Sequence, residues 1–190
     1  MRARIIGTGS CLPATIVTND DLSKIMDTSD EWISSRTGIR ERHLVKEETT
    51  AGMSAEAARR AMEDAGVTAE EIDLIIVGTL SADHVTPSCA CEVQAQIGAV
   101  NAVAFDSNAA CAGFMFALNI ANAYLQTGVY KTALILGAET LSRIMDWNDR
   151  STCVLFGDGA GAAVVRAEEG TAGLLAFDQG SDGVKGGVLA

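Results

Sequence analysis

Apolar and polar positions alternate between two periods along this chain. Residues 4–7, Arg-Ile-Ile-Gly, predict a short strand that breaks at Gly7 and Gly9. Thr18-Asn-Asp-Asp-Leu opens a helix, with a capping hydroxyl and acids in its first turn. A second helix is predicted over 29–37, capped by Ser29 and stopped by Gly38. Alanines and Met62 at helical spacing predict a third over 54–65, ending at Gly66. The unbroken apolar run 74–78 reads as a strand buried on both faces, as in a parallel sheet. A helix over 88–97, a strand over 102–105, a helix over 111–127 and a strand over 132–137 follow. The helix over 111–127 is apolar nearly all round, which predicts burial. Residues 153–156 and 162–166 read as two strands joined by a glycine turn, and 171–179 as a further candidate strand.

Strands alternate with helices, so the class is α/β, built from βαβ units around a mixed, largely parallel sheet with antiparallel pairs at one side. The 190 residues make one domain or slightly more, and a hydrophobic content of 48 % supplies a sizeable core. Aromatics are only 5 % against 19 glycines, which suits helices layered closely on a sheet. The net charge of −11 and the absence of any Lys/Arg cluster argue against nucleic acid and against an anionic membrane surface. The first residues lack the apolar run of a signal peptide, and no segment reaches transmembrane length. Together with five cysteines, an odd number without paired C-x-x-C clusters, this points to a reducing cytoplasm and no metal. Cys89 and Cys91 form a lone C-x-C, read as small apolar packing residues.

Cys111 carries the candidate chemistry. It lies between an apolar strand and an apolar helix, in Asp106-Ser-Asn-Ala-Ala-Cys-Ala-Gly-Phe. A cysteine in the first turn of a helix feels the positive end of the dipole and unpaired N–H groups, and both favour the nucleophilic thiolate. Trp32 and Arg36 are four residues apart on one helix and share a face. With Arg150 they have the chemistry to hold a nucleotide, guanidinium to phosphate and flat faces on a base, although a packing tryptophan beside a solvated arginine fits the spacing as well. Gly157-Asp-Gly-Ala-Gly-Ala matches a dinucleotide fingerprint in form, but β-branched Val164 and Val165 follow, so a tight turn is expected instead. His43 and His84 read as loop or surface histidines, and Glu47-Glu48 and Glu70-Glu71 as solvated acids.

Three segments together resemble 3-oxoacyl-[acyl-carrier-protein] synthase III, an initiating condensing enzyme with a thiolase-like fold. They are 28–43, with Thr-Ser-Asp-Glu-Trp-Ile-Ser-Ser-Arg-Thr-Gly-Ile-Arg-Glu-Arg-His, then 106–114, then 149–162 with Asp-Arg-Ser-Thr-Cys-Val-Leu-Phe-Gly-Asp-Gly-Ala-Gly-Ala. The resemblance implies that Cys111 takes an acyl group from acyl-CoA and condenses it with malonyl-acyl carrier protein, with loss of CO2. It implies acyl-CoA as substrate and no cofactor. It also implies Trp32 and Arg150 around the CoA adenine, Arg36 and Thr28 on its nucleotide and phosphates, and Leu141 and Phe156 lining the acyl pocket. The loop of Thr86 would reach into a partner's acyl pocket in a homodimer, and a threonine there, where a bulky aromatic is common, implies room for longer or branched acyl groups. Family members are longer, with a second half that supplies a His and an Asn for decarboxylation. The expectation is an N-terminal thiolase-like half over 1–175, the start of a connection over 176–190, and a chain that does not complete condensation alone. A starter enzyme of polyketide or other secondary metabolism, or a non-catalytic half needing a partner chain, are the alternative readings. A redox-sensing thiol would leave Trp32, Arg36 and Arg150 unexplained.

Overall fold

A computed structural model describes residues 1–188. Its first strand, β1 (Arg2–Cys11), does not break at the glycines. A Cβ added at Gly7 would sit 2.5 Å from the Ala61 carbonyl oxygen, and one at Gly9 would sit 2.3 Å from that of Ala57. The glycines are there because a helix crosses the strand in backbone contact, not because the strand ends. The chain continues through β2 (Thr15–Thr18), α1 (Asn19–Leu22), α2 (Asp30–Thr37) and β3 (Glu41–Leu44). Thr18 caps α1 in a reciprocal box with Asp21, and α2 runs from the Ser29 cap to Gly38, whose φ is 77°. β2 and β3 pair antiparallel. The sequence reading missed this hairpin, because two short helices rather than a tight turn separate its strands.

Helix α3 (Thr50–Ala65) starts four residues before the predicted position. Thr49 caps it through the Gly52 N–H, and the Asp83 carboxylate takes the N–H groups of Thr50 (3.1 Å) and Ala51 (2.8 Å). That acceptor comes from far along the chain, so local pattern could not show it. β4 (Leu74–Gly78), α4 (Cys89–Ile97), β5 (Val103–Ser107), α5 (Gly113–Thr127) and β6 (Thr132–Thr140) lie close to their predicted positions. β7 (Asp158–Glu168) is one strand containing Gly159 and Gly161, and irregular chain rather than a helix follows directly on it. The glycine run is therefore neither a dinucleotide loop nor the expected turn. The predicted strand at 153–156 is absent. Two of its apolar residues, Cys153 and Val154, instead fill a small core against Leu22 and Ile33, while Leu155 is exposed. The candidate strand 171–179 is irregular, attached where the Leu174 N–H donates to the Ala3 carbonyl at 2.8 Å.

The main sheet has the order β1-β7-β6-β4-β5. β4 is parallel to both neighbours, and β7 is antiparallel to β6 and β1. This is the mixed sheet expected, with antiparallel pairs at one side, although only two of its four pairings are parallel. Alternation along β4 divides the core, with Ile75 and Val77 packing toward α3 and α4, and Leu74 and Ile76 toward α5. Helix α5 is buried along one face only. Ala117, Ala121 and Leu125 pack on the sheet, while Met115 is 50 % exposed. The burial of the whole helix predicted from its composition is thus half realised. Leu174 and Phe177 pack on the same side of the sheet as α5. Of the segment 176–190, the last two residues lie outside the described residues.

Candidate active site

The parallel pairings of β4 with β5 and β6 end together, with Gly78 level with Ser107 and Gly137, while β6 runs on to Thr140. Ligands of open α/β sheets bind at this carboxyl edge. The start of α5 is held against it by missing side chains. A Cβ on Gly78 would lie 2.6 Å from the Gly113 carbonyl carbon, and one on Gly137 would lie 3.3 Å from the Phe114 Cβ. Just before this contact, Ala110–Ala112 form a 3-10 turn that carries Cys111. Cys111 therefore precedes α5 by two residues, where the sequence placed it inside the helix. Ala110 has φ 45°, the left-handed conformation that a residue with a Cβ adopts at a cost of order 1–3 kcal/mol. The turn tilts Cys111 outward: among the described residues it is the exposed cysteine, whereas Cys89 and Cys153 are buried and Cys11 and Cys91 half-buried. Burial and the nearby Asp106 carboxylate push the Cys89 thiol up to about 12, so it is inert. Asp106 itself accepts the N–H groups of Cys89 (2.8 Å) and Ala90 (2.7 Å), pinning the end of β5 to α4 just upstream of the Cys111 turn.

The second part of the site lies on α2. Cation–π contacts join Trp32 to Arg36, whose Cζ is 4.5 Å from the ring centroid, and to Arg150, at 5.0 Å. The structure thus unites three residues that the sequence spreads over more than a hundred positions. Arg150 reaches Trp32 because Leu22, Ile33, Cys153 and Val154 share a core. Buried Arg42 fastens that core by donating to Asn19 Oδ1 (2.8 Å), the Val17 carbonyl (3.2 Å) and the Val154 carbonyl (3.3 Å). The Arg150 guanidinium also donates to the Asp27 carbonyl and lies 3.4 Å from the Asp27 carboxylate. Ser29, Glu31, Trp32, Ser35 and Arg36 line a shallow cavity of about 300 Å³. Next to Asp27, the Thr28 hydroxyl oxygen is buried without a hydrogen-bond partner among the described residues.

Leu141 and Phe156 are half-buried at one end of the β6–β7 ladder, where Thr140 pairs with Asp158. Buried Asp158 sets this corner, accepting the Ser142 N–H (2.9 Å), the Ser142 hydroxyl (2.5 Å) and the Val45 N–H (2.8 Å). Sequence reasoning missed Asp158 and Asp106, since neither lies in a pattern that signals a buried acceptor. Thr86 is exposed between exposed Val85 and Pro87, preceding a cis bond to Pro87. The expected surface or loop position holds for His84, which pairs with Glu92 at 2.9 Å, but not for His43. That residue is half-buried in β3, its Nδ1 2.6 Å from the Pro13 carbonyl. Glu47, Glu70 and Glu71 are exposed, as expected of solvated acids, but the pairs also brace nearby groups. The Glu71 carboxylate takes the Thr68 N–H at 2.8 Å and lies 3.2 Å from Arg166. Glu48 takes three backbone N–H groups, from Ala14, Lys46 and Glu47. Among the described residues there is no cluster of three or more His, Cys, Asp or Glu fit for a metal, and no helix long and apolar enough to cross a membrane.

Comparison with known proteins agrees with this geometry. A family model described as 3-oxoacyl-[acyl-carrier-protein (ACP)] synthase III matches residues 105–183, from within β5 through the Cys111 turn, α5, β6 and β7. The beta-ketoacyl-[acyl-carrier-protein] synthase III of Clostridium acetobutylicum is 60 % identical over 179 residues, covering 94 % of this chain and 55 % of the relative. The crystal structure of 3-oxoacyl-[acyl-carrier-protein] synthase III from Aquifex aeolicus VF5 superposes with a TM-score of 0.87 at 54 % identity, over 88 % of this chain and 55 % of that one. The priming beta-ketosynthase of the R1128 polyketide biosynthetic pathway gives 0.85 at 42 % identity, over 87 % and 50 %. The chain spans about half the length of these relatives, and the α/β architecture is theirs, the thiolase-like fold expected from the sequence. Over the segment it shares with them, the chain belongs to the 3-oxoacyl-[acyl-carrier-protein] synthase III family.

Proposed function

We propose that Cys111 is the acyl-carrying nucleophile of an acyltransferase that initiates fatty-acid synthesis. The observation that carries this is the exposed thiol on a strained turn at the carboxyl edge of the parallel strands, in a chain that also gathers Trp32, Arg36 and Arg150. The Cys111 sulfur attacks the thioester carbonyl of acyl-CoA. A new C–S bond forms as the bond to CoA breaks, and CoA leaves as the thiol with the proton that Cys111 gives up. The oxyanion formed on the way is stabilised by backbone donors, the Cys111 N–H among them. Loss of CO2 from malonyl-acyl carrier protein then provides the carbanion that attacks the acyl-enzyme, and the Cys111 thiolate departs.

In this reading Trp32 and Arg150 hold the adenine. Arg150 already rests on the Trp32 ring, so the base has to displace it, sliding into the place that the guanidinium fills. Arg36 and Thr28 face the nucleotide and its phosphates, and the partnerless Thr28 hydroxyl has acceptor and donor capacity to spare. Leu141 and Phe156 line the acyl group, with Thr86 contributed across a homodimer. The acyl-CoA is substrate, and no cofactor takes part. The polyketide priming enzyme, at 42 % identity, falls within the range of the synthase III structures, and the fatty-acid role is favoured instead by curated relatives at 55–60 % identity that are named beta-ketoacyl-[acyl-carrier-protein] synthase III. The test is intact mass after incubation with a panel of acyl-CoAs, beside Cys111→Ala. An adduct of acyl mass that the substitution abolishes supports the reading, and an adduct that survives it refutes the assignment of Cys111.

A further inference from the structure

The loop that carries Thr86 and the turn that carries Leu141 are tied together twice, by residues to which no role has yet been given. The inner tie is a polar cluster at the ends of β4 and β6. Ser81, Thr79, Thr140 and Thr50 are all buried, and Glu139 is half-buried. The Glu139 carboxylate accepts the Leu80 N–H at 3.0 Å and the Ser81 hydroxyl, with the Thr79 hydroxyl at 3.5 Å. While donating to Glu139, the Ser81 hydroxyl accepts the Thr140 N–H at 2.8 Å. The Ser81 carbonyl accepts the hydroxyls of Thr50 (2.8 Å) and Thr140 (3.2 Å), which are themselves 2.9 Å apart. The loop is thus bonded to the residue that immediately precedes Leu141.

The outer tie is ionic. The Arg143 Nη1 donates to Asp83 Oδ1 at 2.8 Å, and its Nη2 to the Glu48 carbonyl at 2.7 Å. Leu141–Arg143 is one 3-10 turn, and Asp83 lies three residues before Thr86. Asp83 is further committed to the first N–H groups of α3. A polar cluster this well satisfied is rigid, because each buried group that lost its partner would be costly to leave unpaired.

We infer that Ser81, Glu139 and Arg143 are positioning residues that make the Thr86 loop and the Leu141 turn move as one unit, so that the wall Leu141 gives to its own acyl pocket and the wall Thr86 gives to the pocket across the dimer are set together and not by the two side chains independently. The acyl part of this inference rests on the function proposed above; the mechanical coupling does not. It also explains a mismatch in the loop: Val85–Pro87 is exposed, yet its base is fixed by buried bonds.

The experiment is peptide-resolved amide hydrogen exchange on the 190-residue chain, comparing wild type with Glu139→Ala, Ser81→Ala, Arg143→Ala and the conservative Glu139→Gln. Glu139→Ala and Ser81→Ala are expected to speed exchange roughly tenfold in both 80–87 and 140–143, with β1 and β7 unchanged. Glu139→Gln keeps an oxygen for the Leu80 N–H and puts an NH2 where Oε2 accepted the Ser81 and Thr79 hydroxyls, to which those hydroxyls can turn their oxygens, and is expected to restore part of the protection. Arg143→Ala, which removes only the outer tie, is expected to loosen both segments by a smaller factor. Faster exchange in one segment with the other at its wild-type rate overturns the coupling, as does no change in either. Exchange needs no acyl-CoA, so it decides the coupling even if the chain takes up no acyl group. Where it does, Glu139→Ala is expected to flatten the chain-length preference of the adduct, and Glu139→Gln to restore part of it. A preference untouched by Glu139→Ala overturns the acyl part alone.

Discussion

Replacing Gly78 by alanine tests whether Cys111 is aimed by backbone contact. The new Cβ would stand 2.6 Å from the Gly113 carbonyl carbon, and 2.9 Å from both the Gly113 oxygen and the Phe114 nitrogen. Nonbonded carbons rest at about 3.5–4.0 Å, so the first turn of α5 must withdraw by about 1 Å. The Ala110–Ala112 turn abuts that residue and moves with it. Forcing a group into a packed interface costs about 1–3 kcal/mol, and a misplacement of about 1 Å at a reacting group costs on the order of a hundredfold in rate. The converse change is milder. A Cβ on Gly113 meets the Gly78 Cα at 3.2 Å, a shortfall of a few tenths of an ångström, and alanine regains about 0.5–1 kcal/mol inside a helix. Urea denaturation gives the stability of both variants, and the rate of Cys111 acylation by acyl-CoA gives the aim. Alkylation by iodoacetamide, which needs only an accessible thiol, is the control. Gly78→Ala should lose acylation by about two orders of magnitude while alkylation changes little, and Gly113→Ala should sit near wild type. The reasoning fails if Gly78→Ala is acylated at the wild-type rate, or if Gly113→Ala is the more damaging change.

The cysteines should differ sharply in reactivity: in the folded protein at pH 8, iodoacetamide should label the Cys111 peptide first and leave Cys89, with its thiol pushed up to about 12, unmodified. Early label on Cys89 would contradict its burial. Arg42→Met leaves the Asn19 side-chain oxygen and the Val17 and Val154 carbonyls without their donor, and should cost roughly 2–3 kcal/mol in urea unfolding, where an unchanged midpoint would show that Arg42 does not fasten that core. The Glu48 carboxyl is drawn down to about 2 by backbone N–H groups, first that of Lys46, from an ordinary 4.5. Because the folded value is the lower, its stabilisation is present above pH 4.5 and lost as pH falls toward 2. A carboxyl resonance of Glu48 titrating near 4.5 would refute this.

The elements legible in the sequence were those specified by neighbours along the chain. Helix α2 was readable to the residue, since Ser29, the acids after it and Gly38 are local signals, and β4 declared itself as an apolar run. What remained hidden depends on partners distant in sequence. The first turn of α3 rests on Asp83, the β2–β3 pair closes across two helices, and Cys153 and Val154 serve a core built by Leu22 and Ile33. Glycine misled twice, at Gly7 and Gly9, which a crossing helix requires, and again at Gly159, close against the Leu12 side chain, and Gly161, where a Cβ would meet nothing within 4 Å. In the site, Cys111 and the Trp32–Arg36 face were visible from spacing. Arg150 was grouped with them on chemistry, but spacing could not place it beside Trp32, and Asp106, Asp158 and Glu139, which hold the site's frame, left no sequence signal.

The central claim is that the Cys111 turn and the Trp32–Arg36–Arg150 patch form one acyl-CoA site. The most direct test compares acylation of Cys111 by acetyl-CoA with acylation by acetyl-N-acetylcysteamine, a thioester without the nucleotide, in wild type and in Trp32→Ala and Arg36→Ala. The account predicts that both variants lose acylation from acetyl-CoA by tenfold or more, about 1.4 kcal/mol of lost nucleotide binding, while the short thioester reacts at the wild-type rate. Equal rates with acetyl-CoA across all three proteins, or an equal loss with both donors, would contradict it.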